Sequence, residues 1–371
     1  MLPFSPSVPL TLGVELELQL IEPESGDLAP SAPLLLARLP NQERIKPELF
    51  QSIIEINTGI CRNVPQARAD LERSLAQMRT ITNDLGVELM SAGSHPFARY
   101  EERQLYPSER YEAMMDRHRW LLRRMQIYGL HIHIGMPDGE TAMAVINGWL
   151  RYLPHLLALS ASSPFWEGRD TGLASCRTSI FEALPISGHP CLFADWAHFS
   201  RYFHTAIASQ SIRGIKDIWW DIRPHPDFGT IELRFCDAPA TLRELAAVVA
   251  LAHSLSARLL REVEEGEAPP RMEDWILREN KWRSSRWGLE ARIIGNNRGA
   301  QVRVDEELLR LAEELRDDAA ALGCARELAE IPALVQAGAS YCRQRRWFEA
   351  GQDYKAIVTQ LTREFETDRL L

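Results

Sequence analysis

Two glutamates, Glu15 and Glu17, stand two residues apart in LTLGVELELQL (10–20), where the alternating Val14, Leu16 and Leu18 predict a β-strand. Side chains two apart on a strand share one face roughly 7 Å from each other, so two carboxylates there repel unless positive charge lies over them. The same spacing recurs in His131 and His133 of GLHIHIG, Glu232 and Arg234 of TIELRF, Asp221 and Arg223 of WWDIRP, and Glu55 and Asn57 of IIEIN. Five such strands predict one sheet with an apolar face on helices and a second face of Glu, His, Asp and Arg. A merely solvated face would also draw on lysine, and none of these ten positions has one. Oxygen donors with an imidazole suit Mg²⁺ or Mn²⁺ better than structural zinc. Divalent cations would neutralise Glu15 and Glu17. Arg223 and Arg234 beside such a cluster suit a phosphoryl group. The chain lacks both G-x-x-x-x-G-K-[ST] and G-x-G-x-x-G. A nucleotide would therefore be held by metals bridging its phosphates from the sheet.

The elements that must position these residues are legible around them. Strands are expected at 51–59, 87–93 and 128–135, and a hairpin at 218–235. Helices are expected at 64–86, stopped by glycine, at 107–125 with proline at the start, and at 140–163, broken or kinked at Pro154. The stretch 168–190 has no period and reads as a long loop, either a lid or a plain connection. From 241 onward the pattern is nearly all helical. The expectation is one α+β domain over 1–371, with a sheet-rich part (1–240) and a mainly helical part (241–371) whose tail from about 300 is the most detachable.

The 371 residues, 45% hydrophobic and 25% charged, can bury a sizeable core. A net charge of −9 argues against a nucleic-acid partner. Six scattered cysteines without a CxxC pair read as reduced thiols in a cytoplasmic protein, and no catalytic thiol is expected. No signal peptide and no run of 18 apolar residues is apparent, so no membrane span is expected. The apolar segment 140–163 and the sheet edges leave a homodimer open.

Longer motifs in fixed order carry a resemblance: TLGVELELQ, QSIIEINTGICR, GSHPF, RYEAMMDRHRWLLRRMQIYGLHIHIG, LPHLLALSASSPFWEGRDTGLASCRTSIFEALP, KDIWWDIRPHPDFGTIELRFCDAPATL and NKWRSSRWGLEA. From about 10 to 360 the chain resembles the type-2 glutamate–cysteine ligases, carboxylate–amine ligases similar in fold to the catalytic domain of glutamine synthetase. The resemblance implies an antiparallel sheet funnel holding ATP and divalent metals. Glutamate's γ-carboxylate is phosphorylated there, and an amine, cysteine by family, attacks the acyl-phosphate.

Carried over by motif, Glu15 and Glu17 resemble ligands of two different metals, with Glu55 and His131 as further ligands and Glu232 as a shared one. Glu48 is either another ligand or a surface carboxylate. Arg234 resembles the arginine on the transferred phosphate. Arg177 is the candidate for the substrate's carboxylate, and Arg223 for a second phosphate or substrate contact. Asp221 and His133 complete the substrate and ATP set. Arg283 and Arg286 either touch phosphates or solvate a helix. Ser94 and His95 read as a structural turn, and Trp219 and Trp220 as one core and one edge residue. Rival readings are another amine or amino-acid substrate, a metal-dependent hydrolase, and a non-catalytic small-molecule-binding protein.

Overall fold

Seven antiparallel strands form the sheet that the two-residue spacing predicts. The computed structural model describes residues 1–267 and 271–371. The strands are β1 (Leu12–Ile21), β2 (Ile45–Pro47), β3 (Ile53–Asn57), β4 (Glu88–Met90), β5 (Gly129–Gly135), β6 (Ile222–His225) and β7 (Thr230–Asp237). Their order is β6-β7-β5-β1-β3-β2, with β4 beside the end of β1. Alternation sorts the two faces. Val14, Leu16, Ile54, Ile56, Ile132, Ile134, Ile231 and Leu233 are all essentially inaccessible to solvent. This apolar face packs on helices, among them Val64–Leu85, Gly139–Trp149, Leu153–Ser160 and Leu242–Glu264.

Thr241 is the N-cap of the helix Leu242–Glu264. The Thr241 hydroxyl accepts from the Glu244 N–H and donates to the Glu244 carboxylate. Its residues 245 to 256 are buried on every side, which marks it as the central core helix. The helix at Val64–Leu85 follows its signals. Asn63 caps it through the Gln66 N–H, and Gly86 ends it at φ 65°, where a side chain would be strained.

Several expectations change. The helix expected over 107–125 is two, Glu109–His118 and Trp120–Arg123, interrupted at Arg119 with φ 50°. The helix expected over 140–163 is also two, Gly139–Trp149 and Leu153–Ser160, and Pro154 stands in the first turn of the second. Both are mostly buried inside the chain's own core, so they offer no apolar face to a second copy. The stretch 168–190 contains the helix Cys176–Phe181, started by Ser175, which accepts from the Thr178 N–H. The tail is also firmly attached. Buried Arg343 binds Glu244 of the central helix and Glu364 of the last helix, and Ile357, Leu361 and Phe365 enter the core. Among the described residues, no helix is long and apolar enough to cross a membrane.

Candidate active site

Strand register brings the polar side chains together in rungs. Arg223 faces Glu232, and Glu232 faces His133. One step along, His131 faces Glu15. Beyond that, Glu17 faces Glu55. These residues line one cavity of about 330 Å³, together with Glu48, Arg177 and Arg234.

Three overlapping donor groups follow: Glu15, Glu55 and His131; Glu15, His133 and Glu232; and Glu17, Glu48 and Glu55. Within each, one potential ligand atom per residue lies within 4.8 Å of the others. At the first rungs the charges are already balanced. Burial would push the Glu232 carboxyl up, but Arg223 and Arg234 outweigh it and hold it well below the usual range. Burial also opposes ionisation of Glu15, but hydrogen bonds with His131 and His133 keep it below the usual range. The Glu15–His131 contact is 3.2 Å. His133 is fixed on its other side by the Thr230 hydroxyl, 3.0 Å away.

At the last rung the carboxylates outweigh the positive charge near them, since Arg110 only partly offsets the burial of Glu48. Burial and the charge of Glu17 push Glu48 up to about 7. Burial and Glu15 push Glu55 well above the usual range, although the Asn57 side-chain amide donates to it at 2.9 Å. Crowded oxygen donors with too little counter-charge suit Mg²⁺ or Mn²⁺, so the donor set fits a hard divalent cation. A prediction follows from proton linkage. Between about pH 4.5 and 7 the metal-free native state binds more protons at Glu48 than the unfolded chain does. Metal-free stability should therefore fall as pH rises through that window, by on the order of 3 kcal/mol. Mg²⁺ should restore it and expel protons. The check is thermal unfolding with Mg²⁺ and with chelator at pH 5.5 and 8: the gain from Mg²⁺ should be larger at pH 8.

The arginines divide by how many donors remain free. Arg223 gives Nε and Nη2 to Glu232, at 2.9 and 2.6 Å, and Nη1 to the carbonyls of Ile215 and Ile218. Its fork is committed to holding Glu232, which corrects its expected phosphate or substrate role. Arg234 spends Nη1 on Glu232 and keeps a buried Nε without a partner. Arg177 donates Nη2 to the Arg234 carbonyl at 3.1 Å and likewise keeps Nε free. Gly129 makes room for Arg177, since a Cβ there would lie 2.3 Å from Nη2.

Three candidates lie elsewhere. Asp221 binds Lys281 at 2.5 Å, outside the cavity. It sits between the short strand Trp219–Trp220, which pairs in another sheet, and β6, so alternation does not carry across it. Arg283 is paired with Glu279 at 2.8 Å, and Arg286 donates to the Gly172 carbonyl. Arg286 thereby ties the helix Asp274–Trp287 to the loop at Gly172, and Arg283 ties its end to the Arg292 carbonyl. Glu48, read as ligand or surface group, stands in the donor cluster. Ser94 and His95 bond backbone carbonyls of Phe165 and Gly26, as a structural turn would. Trp220 is core among Phe193 and Tyr202, while Trp219 is buried in the cavity wall rather than at an edge. Burial pushes the thiols of Cys61, Cys176 and Cys236 up to about 11, 12 and 12, so none is an ionised nucleophile at neutral pH.

Sequence reasoning missed Tyr111, Lys46 and Lys216 in the cavity wall and Asp237 behind it. Lys46 faces Glu55 from a strand of three residues, too short to show alternation. Asp237 accepts from the Ser162 N–H and from the hydroxyls of Ser163 and Ser175, at 2.7 to 2.9 Å. Ser163 in turn accepts from the Arg177 N–H, so this inaccessible carboxylate sets the helix that carries Arg177. Asp237→Ala should destabilise the protein by about 2–4 kcal/mol, because three donors lose a charged acceptor at once. Urea unfolding measures it.

Comparison with known proteins follows this geometry. Residues 11–360 match the model of glutamate–cysteine ligase family 2. A protein provisionally named glutamate–cysteine ligase 2 from Gloeobacter violaceus is 46% identical over 97% of this chain and 98% of its own length. One of the same provisional name from Thermobifida fusca is 42% identical over 98% of this chain and 92% of its own. The crystal structure of a Francisella tularensis glutamate–cysteine ligase in complex with AMP superposes with a TM-score of 0.70 at 13% identity, covering 99% of this chain and 90% of that one. A bifunctional glutathione synthetase from Pasteurella multocida gives 0.69 at 14% identity, covering 96% of this chain and 52% of that one. At those identities the two structures establish a shared fold. The chain belongs to glutamate–cysteine ligase family 2.

Proposed function

We propose that the chain is an ATP-dependent ligase joining the side-chain carboxylate of glutamate, or a close relative, to an amine through an acyl-phosphate. With cysteine the products are γ-glutamylcysteine, ADP and phosphate. The observation that carries this reading is the pair Arg234 and Arg177, two buried guanidiniums with free Nε donors beside the divalent-cation donor set.

A carboxylate resists amines because it is anionic and its oxygen leaves poorly. Phosphorylation removes both obstacles. Mg²⁺ or Mn²⁺ held by Glu15, Glu17, Glu48, Glu55, His131 and Glu232 would supply charge neutralisation at the nucleotide's phosphates. His133 adds a donor at the Glu15–Glu232 end. Arg234 directs its free donors at the phosphoryl group in transfer. Arg177 takes the α-carboxylate of glutamate and so orients the γ-carboxylate. Arg223 keeps Glu232 ionised and in place. Trp219, Phe181 and Leu184 give this end of the cavity an apolar wall that limits water around the acyl-phosphate.

The test is ADP release with ATP, Mg²⁺ and glutamate against a panel of amines including cysteine. ADP formation that needs glutamate and one amine supports the ligase. Substrate turnover without ADP would instead identify a metal-dependent hydrolase. Gly129→Ala should displace Arg177 and lower kcat/KM for glutamate about 10- to 100-fold. KM for ATP should change little in the same assay.

A further inference from the structure

A second cavity, of about 510 Å³, adjoins the first, and Arg110, Met114 and Trp219 line both. One wall is a single face of the helix Glu109–His118, because Arg110, Met114 and Arg117 recur at spacings of four and three. Arg213 stands across from it on the segment before β6. Among the described residues, no carboxylate forms an ion pair with Arg110, Arg117 or Arg213, although Glu109 and Asp217 share the cavity. Asp217 is turned to the backbone, where it accepts from the Arg213 N–H at 2.7 Å. This cationic face is a local exception in a chain of net charge −9.

The second cavity bridges the two sides of the site: its Arg213–Trp219 wall is tied to Arg223 through the Ile215 and Ile218 carbonyls, and its helical wall is tied to the Glu48 side. Tyr111, next to Arg110, donates to the Pro47 carbonyl, one residue before Glu48. The turn between β6 and β7, in the wall of the first cavity and outside the second, carries the exposed ring of Phe228 stacked on His225, with centroids 4.0 Å apart, a flat surface suited to a purine. That arrangement leaves the arginine-lined cavity to the amine. Cysteine, one of the smaller amino acids, would leave most of it empty.

Resting on the ligase reading above, we infer that the amine substrate is larger than cysteine and carries a carboxylate remote from its nucleophilic nitrogen, held by Arg117 and Arg213 with Arg110 at the junction. The nitrogen lone pair forms the C–N bond and the C–O bond to phosphate breaks. Inorganic phosphate leaves with the electron pair, and the proton lost from nitrogen goes to the departing phosphate.

The experiment supplies ATP, Mg²⁺ and glutamate with four amines: hydroxylamine, cysteine, alanyl-aspartate and alanyl-aspartate diamide. Hydroxamate from hydroxylamine reports the activated carboxylate whatever the second cavity binds. The expected result is hydroxamate formation, with kcat/KM for alanyl-aspartate at least tenfold above both its diamide and cysteine. In the Arg117→Glu/Arg213→Glu double variant the preference for acid over diamide should vanish or invert, which misfolding alone would not produce. Hydroxamate with acid and diamide used alike, or with cysteine preferred, overturns the inference and leaves the ligase intact. Absence of hydroxamate removes the ligase reading and this inference with it.

Discussion

Glu232→Gln is expected to lower ADP formation by about a thousandfold or more. Glu232 is 1% exposed, bonds both Arg223 and Arg234, and belongs to a donor group with Glu15 and His133. The amide keeps the shape but removes the charge, so a divalent-cation ligand is lost and two guanidiniums are left without their counter-ion. Breaking a buried pair in this way costs about 3–5 kcal/mol. The variant must therefore be assayed at a temperature where circular dichroism shows it folded. Retained turnover in folded protein would refute the role given to Glu232. A second signature separates site from fold: stabilisation by Mg²⁺ should weaken in Glu232→Gln, and a purely structural Glu232 would leave it unchanged.

Arg234→Lys is the second large effect. Arg234 offers the free Nε while Nη1 is engaged with Glu232, an arrangement that needs a planar fork. Lysine keeps one positive charge but cannot present two directed donors at once. Arginines that stabilise a phosphoryl group in transfer contribute about 10³ to 10⁵ in rate. The expected outcome is a fall in kcat of about a thousandfold with KM for glutamate nearly unchanged, read by single-turnover ADP formation. A loss below about tenfold would place the transferred phosphate elsewhere.

The sequence carried the site where the backbone is regular. β1, β3, β5 and β7 up to Leu233 alternate, so their residue types alone placed Glu15, Glu17, Glu55, His131, His133 and Glu232 on one face, with Arg234 at the start of the β7 register shift, and register then brought the facing pairs into rungs. The family resemblance added Arg177, which stands on a helix where no strand period applies. Where the chain changes sheet, local pattern misleads. Asp221 shares the i, i+2 spacing with Arg223 yet faces Lys281. Asp237 lies beyond the register shift after Leu233, where alternation is interrupted. The break at Arg119 has no proline or glycine to announce it. Glu48 joins Glu17 and Glu55 only through the tertiary fold, which no neighbouring residue in the sequence encodes. The same is true of Arg343, whose partners Glu244 and Glu364 are distant in sequence and tie a tail that composition alone leaves loose.

Oxygen transfer tests the central claim most directly. Glutamate labelled with ¹⁸O in its γ-carboxylate would be turned over with ATP, Mg²⁺ and a productive amine, and the released phosphate analysed by mass spectrometry. If the γ-carboxylate is phosphorylated, one labelled oxygen moves into phosphate at each turnover, because the C–O bond breaks when the amine attacks. Amide formation with unlabelled phosphate would contradict the acyl-phosphate route and the roles given to Arg234 and the carboxylate cluster.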